Sequence, residues 1–133
     1  MKIEAALITA TETIPDCIAA GYVDMETGML LGAHAPDPQD QSVLDTLAIA
    51  VANLFQGRGV RGFEALLRSI GTEDTQEEGF GEIAVLAGDR INIFLRTPAY
   101  PDHVVCYICR SSANIGLALT KSHLSLAPVT AAV

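Results

Sequence analysis

Residues 37–63 read DPQDQSVLDTLAIAVANLFQGRGVRGF, and the way this stretch folds decides the architecture of the chain. Its last eight residues set Gly57, Gly59 and Gly62 in G-x-G-x-x-G spacing. That spacing cradles a dinucleotide pyrophosphate when a strand precedes it and a helix comes after. If LAIAVANLF were the strand, the chain would be a nucleotide-binding fold. The residues before it argue otherwise. Asp37 and Pro38 suit the N-cap and first position of a helix, and Asp40 is favourable in the first turn, where the helix dipole is positive. Val43, Leu44, Leu47, Ala48, Val51, Leu54 and Phe55 then recur at spacings of three and four, which is a helical stripe.

The residues after the glycines point the same way. FEALLRSIG (63–71) reads as a short helical segment ended by Gly71, too short for the crossover of a parallel sheet. Beyond it come hairpins. Glu82 lies twenty residues after Gly62, but at the start of a strand and not at its end. The glycines therefore read as a flexible break between helices, and no cofactor is expected.

The flanking segments complete the order. Ile3, Ala6, Leu7 and Ala10 mark a helix that Pro15 and Asp16 end. CIAAGYVD (17–24) and MLLGAH (29–34) form a hairpin, with Gly28 suited to a positive φ in the turn. TEDTQEEGFG (72–81) is expected to be a polar, mobile connection. EIAVLAG (82–88) and RINIFLR (90–96) pair around Gly88-Asp89, and HVVCYICR (103–110) is a fifth strand. Ser111 or Ser112 is expected to cap a last helix whose buried face holds Ile115, Ala118, Leu119 and Leu126, with Pro128 at its end. Helix, two strands, helix, three strands, helix gives a mainly antiparallel sheet.

Composition narrows the function. The chain has 133 residues, half of them hydrophobic, which suits one packed domain. Its net charge of −8, from 16 acids against 8 bases, disfavours nucleic acid and anionic membrane as partners. No Trp is present and aromatics make up 5%, few rings for base or sugar stacking. Arg58, Arg61 and Arg68 are a local basic exception. The first fifteen residues, with Glu4 and Glu12, lack the apolar core of a secretory leader, and no apolar run reaches the roughly 20 residues of a membrane span. Three cysteines suit reduced thiols. A soluble cytoplasmic protein is expected.

The chemical motifs are weak. His103, Cys106 and Cys109 spell H-x-x-C-x-x-C, but in a strand Cys106 faces away from the other two, so no metal site is expected. Cys17 reads as a structural thiol, and His34, His103 and His123 are far apart in sequence. Glu73-Asp74 and Glu77-Glu78 read as solvated. No nucleophile elbow, phosphate loop or H-E-x-x-H occurs, so an enzyme is not expected.

Two stretches carry a resemblance. IPDCIAAGYVDMETGMLLG (14–32) runs from a helix ended by Pro through an apolar strand to a Gly turn. SSANIGLALTKSHLSLA (111–127) leads the last strand into Ala-Asn-Ile-Gly-Leu, Ala113 to Leu117. Together they resemble the roadblock/dynein light-chain family, whose bacterial members associate with small Ras-like GTPases. The resemblance covers nearly the whole chain and departs from the family between Gly57 and Gly79. It implies a two-layer, profilin-like α/β fold with a five-stranded antiparallel sheet in the order 2-1-5-4-3 and helices on its faces. It also implies a homodimer in which the middle helices pair and the third strands join edge to edge.

The apolar character of residues 40–56 on both sides, and the uncharged strand after Glu82, fit that arrangement. Val43, Leu47, Ala50, Val51, Leu54 and Ala84 are expected at the two-fold interface, with Arg58 and Arg61 as a possible partner contact. The functional expectation is a non-enzymatic adaptor that binds a small Ras-like GTPase or another regulatory protein, with no catalytic residue carried over. The alternatives are a small-molecule-sensing module and a hydrolase or redox enzyme using Cys17 or His103.

Overall fold

A computed structural model describes residues 2–70 and 81–133, with the side chains at 38–43 and 45 outside the described set. Its elements are α1 (Lys2–Thr13), β1 (Cys17–Asp24), β2 (Met29–His34), α2 (Pro38–Gln56), α3 (Arg58–Ile70), β3 (Glu82–Ala87), β4 (Arg90–Arg96), β5 (His103–Arg110) and α4 (Ile115–Ala131). The five strands form one antiparallel sheet in the order β2-β1-β5-β4-β3. Gly71 and the polar connection after it, including Glu73-Asp74 and Glu77-Glu78, lie outside the described residues.

The turns form where the sequence places them. Gly28 has φ 71°, a conformation that costs a residue with a Cβ more than it costs glycine. Asp24 accepts hydrogen bonds from Glu26 N at 3.0 Å and Thr27 Oγ1 at 3.1 Å, which ties the turn together.

Alternation along the strands divides the core into two sides. Ala20 and Tyr22 of β1, Ile91, Ile93 and Leu95 of β4, and Val105, Tyr107 and Cys109 of β5 face α1 and α4. Val23, Phe94, Val104 and Cys106 face the other way, onto Ala48, Val51 and Phe55 of α2, and Leu44 packs nearby against Ala19 and Ile108. Helices cover both faces of the sheet, as the expected fold has them. The cause is that β1 and β5 are apolar on both sides, so each face needs its own cover.

α4 differs from expectation at both ends. Its N-cap is Asn114, whose Oδ1 accepts from Leu117 N at 3.0 Å. Ser112 instead donates its hydroxyl hydrogen to Asp16 Oδ2 at 3.1 Å. Ala118, Ser122, Ser125 and Val129 are its buried residues, while Leu119 and Leu126 are partly buried and Ile115 is exposed. Ser125 Oγ donates to Ser122 O and lies 2.6 Å from Tyr107 Oη, so the buried polar groups satisfy one another. Burial pushes the Tyr107 phenol above its ordinary value, which keeps it neutral.

Pro128 lies inside the helix, which continues to Ala131. It faces solvent, where the helical carbonyl it leaves unpaired is open to water, and Val129 anchors the final turn in the core. Replacing Asn114 by Ala is expected to cost about 1 kcal/mol in urea denaturation. Ser111→Ala should change stability by less than about 0.5 kcal/mol. Equal losses at the two positions would contradict the assignment of the cap.

Candidate protein interface

Gly57 is the corner between α2 and α3. Its N–H donates to Asn53 O at 2.9 Å, which closes α2, and its carbonyl accepts from Arg61 N at 3.0 Å, which opens α3. A Cβ on residue 57 would lie 2.5 Å from Asn53 O, whereas one on Gly59 or Gly62 would meet nothing within 4 Å. The chain thus needs glycine only at the first of the three positions. Gly59 and Gly62 lie inside α3, so the helix begins at Arg58 and not at Phe63 as the sequence suggested, and the break is one residue long.

This longer α3 is strongly two-sided. At about 3.6 residues per turn, Val60, Phe63, Leu67 and Ile70 line one side, with Leu66 beside them. Arg58, Arg61 and Arg68 line the opposite side. None of its residues is buried, and Phe63, Leu66, Leu67 and Ile70 rank among the exposed large hydrophobics, Ile70 at 69%. Arg61 Nε donates to Gln56 O at 3.2 Å, which places its guanidinium over the corner. Three arginines against Glu64 make α3 a basic element on a chain of net charge −8.

α2 turns Leu44, Ala48, Val51 and Phe55 to the sheet. Val51, expected at an interface between copies, is 0% exposed in this internal core. The apolar pattern runs around both sides of α2, and only the position of the sheet decides which side is internal. Leu47 and Leu54 are half-buried at the margins of the core, and Ala50 is exposed. Ile49, 68% exposed, is a large apolar group on the outward side. The side chain of Val43 lies outside the described residues.

β3 borders this face as the last strand of the sheet. Ile83 and Val85 lean on the core beside Val51 and Phe55, while Ala84 and Leu86 face outward on the other side, Leu86 at 67% exposure. No charged residue occurs from Ile83 to Ala87. Arg96 lays its guanidinium over the Phe55 ring, 5.3 Å from the centroid. Its Nε and Glu64 Oε1 are buried with no hydrogen-bond partner among the described residues.

Other candidate groups do not converge. Cys17 opposes Cys109 at one end of the β1–β5 ladder and His103 opposes Asp24 at the other, roughly 20 Å away at strand rise. His103 Nδ1 lies 2.9 Å from Tyr22 Oη, and its ring stacks on Tyr100. Cys106 and Cys109 face opposite sides of the sheet. No cluster of three metal-ligating side chains occurs among the described residues. A recess of ≈ 250 Å³ lies between Lys2, Ile3, Tyr22, Leu31, Ala132 and Val133, smaller than the roughly 300–1,000 Å³ of ordinary ligand pockets. No described helix is long and apolar enough to cross a membrane.

The architecture matches solved structures along their whole length. Myxococcus xanthus MglB superposes with a TM-score of 0.72 at 17% identity, covering 98% of this chain and 94% of that one. A roadblock/LC7 domain from Streptomyces avermitilis gives 0.69 at 11% identity, covering 98% and 97%. MglC from Myxococcus xanthus gives 0.64 at 13% identity, covering both chains in full, 100% and 100%. No family model matches the chain, and no curated protein matches it. The chain has the roadblock/LC7 fold.

The glycine assignment has a direct check. Gly57→Ala is expected to destabilise the protein by about 1–3 kcal/mol, the usual cost of a forced backbone clash. Gly62→Ala should stabilise it by about 0.5–1 kcal/mol, since alanine suits an open helical site better. Urea denaturation of the two variants must give opposite signs. Parallel losses would mean that the glycines act as one loop.

Proposed function

We propose that the chain is a member of the roadblock/LC7 family and acts as a homodimeric adaptor that binds a small Ras-like GTPase or another regulatory protein. The observation that carries this reading is the set of exposed apolar side chains on the outward side of α2, on α3 and on the edge strand β3. Its large members, Ile49, Phe63, Leu66, Leu67, Ile70 and Leu86, are all exposed. Large apolar groups left exposed in this number point to interaction sites, and an uncharged edge strand invites pairing.

In this reading α2 meets α2 of a second copy through Ile49, Ala50 and the half-buried Leu47 and Leu54. β3 joins its counterpart edge to edge near Ala84. Such a contact is isologous, the commonest way for identical chains to close on themselves. The partner protein then meets α3, where Arg58, Arg61 and Arg68 favour an acidic surface. The buried polar atoms of Glu64 and Arg96 are further groups that a docked chain could satisfy. The protein contributes no reacting group and changes the placement or nucleotide cycle of its partner by binding alone. The bacterial members of the family it resembles, which associate with Ras-like GTPases, supply the partner class.

Sedimentation is expected to give a dimer at micromolar concentration. Ile49→Glu should shift it to monomer without loss of the folded state, because that side chain is 68% exposed. The purified dimer should retain a GTPase from native lysate, and Arg58→Glu with Arg61→Glu should weaken retention at least about tenfold, the effect of about 1.4 kcal/mol. A wild-type monomer would overturn the dimer. Recovery of a bound metabolite with no regulatory protein would favour the sensing module instead.

A further inference from the structure

Cys17 and Cys109 stand directly opposite each other where β1 begins and β5 ends. Arg110 N donates to Asp16 O at 3.0 Å, so the backbone bond of this ladder runs between the residues just outside the two cysteines. A register shift between Cys17 and Ala19 brings Cys17, and not Ile18, opposite Cys109. The bond outside the pair gives the two cysteines the character of a non-hydrogen-bonded pair, the kind whose side chains come closest. Cα atoms in such pairs are about 4.5 Å apart, within the range of roughly 4.4–6.8 Å that a disulfide spans. Both side chains belong to the apolar cluster under α1 and α4. Cys109 is fully buried and Cys17 half-buried, so Cys17 is the more exposed of the two. Cys106 lies on the opposite face of the sheet.

We propose that Cys17 and Cys109 are a dithiol modification site that closes reversibly into a cross-strand disulfide through exchange with a low-molecular-weight disulfide. The pair is chemically predisposed to ionise once. Interaction with Cys17 draws Cys109 below the ordinary thiol value, while interaction with Cys109 and burial push Cys17 above it, and the Cys17 thiol donates to Ala19 O at 3.4 Å. Loss of the Cys17 proton to a solvent base exposes its thiolate, whose sulfur attacks one sulfur of the small disulfide RSSR. One RS⁻ leaves and a mixed disulfide remains on Cys17. Cys109 then gives its proton to the released RS⁻ and attacks Cys17 Sγ, which breaks the mixed disulfide and expels the second RS⁻. Two electrons pass from the dithiol to RSSR, and the two thiol protons end on two RSH.

The bond would fasten the turn after α1 to the strand end that leads into α4. Asp16, at φ 53°, and Ser112 already meet there through a side-chain hydrogen bond. The closed loop takes in most of the chain, so oxidation restricts the unfolded state more than the folded one.

The test incubates the folded protein with glutathione and its disulfide at stepped ratios, alkylates it after unfolding, and maps the peptides by mass. The expected oxidised product has lost two hydrogens, carries a Cys17–Cys109 link with Cys106 alkylated, and melts on the order of 10 °C higher. Cys106→Ser should form the same link, and Cys17→Ser should lose no hydrogens. A persistent glutathione adduct on Cys17, a link that includes Cys106, or three alkylated cysteines at the most oxidising ratio would overturn the proposal.

Discussion

The β1–β5 pair at the centre of the sheet is buried on both faces, and the rest of the structure answers that constraint. From Ala19 to Val23 and from Val104 to Cys109 every residue is buried, so neither side of this pair can face water. α1 and α4 cover one side and α2 the other. Among the described residues no further helix extends either layer over β3, because α3 turns away at Gly57 and buries none of its residues. The sheet is therefore well covered in the middle and thinly covered at one edge. The apolar surface that carries the proposed function is what remains after the central strands are covered.

The corner at Gly57 converts this deficit into a directed surface. If α2 continued straight, the residues after Gln56 would extend its own two sides. The bend starts a new helix whose apolar and basic sides are separated and both exposed. Elsewhere the surface is acidic, so Arg58, Arg61 and Arg68 make α3 electrostatically distinct from the rest of the chain. Such local contrast steers encounters more than it adds affinity. It complements the neighbouring apolar stripe, which supplies contact area.

Much of this was legible in the residues, and the misreadings have physical causes. Gly28 and Gly88 in the turns, the Asp37-Pro38 helix start and the alternation of Ile91, Ile93 and Leu95 are local signals, and the elements they announce form where expected. Strand order came from the resemblance, since nothing local specifies which strands pair. The first turns of α3 are hidden in the sequence because glycine is a poor helix former, and three glycines in six residues read as a loop. Helix α4 offers three capping residues within four positions, Ser111, Ser112 and Asn114. The turn in which Ala113 N bonds Arg110 O carries the chain past the serines before the helix begins. Val51 reads as outward because α2 is apolar around its circumference, and only the location of the sheet shows which stripe is internal. The pairing of Cys17 with Cys109 depends on ladder register between distant parts of the chain, which no spacing rule within the sequence expresses.

The two proposed sites lie mainly on opposite faces of the same sheet, with Leu86 of the interface at the outer end of the cysteine row. Cys17, Cys109, Ile91 and Leu86 form a transverse row across β1, β5, β4 and β3, and the dithiol occupies its inner end on the side covered by α1 and α4. The candidate interface is built mainly on the α2 side and on the outer edge of β3. A disulfide in that row restrains strand ends and the helix layer opposite α2, while Ile49, Ala50 and the arginines of α3 keep their exposure. Oxidation is therefore placed to change how firmly the sheet is held without occupying the surface that meets a partner. Coupling between the two sites would have to pass through β4, whose Phe94 and Arg96 face α2 while Ile91, Ile93 and Leu95 face α4. That strand is the one element in contact with both halves of the core and with the β3 edge.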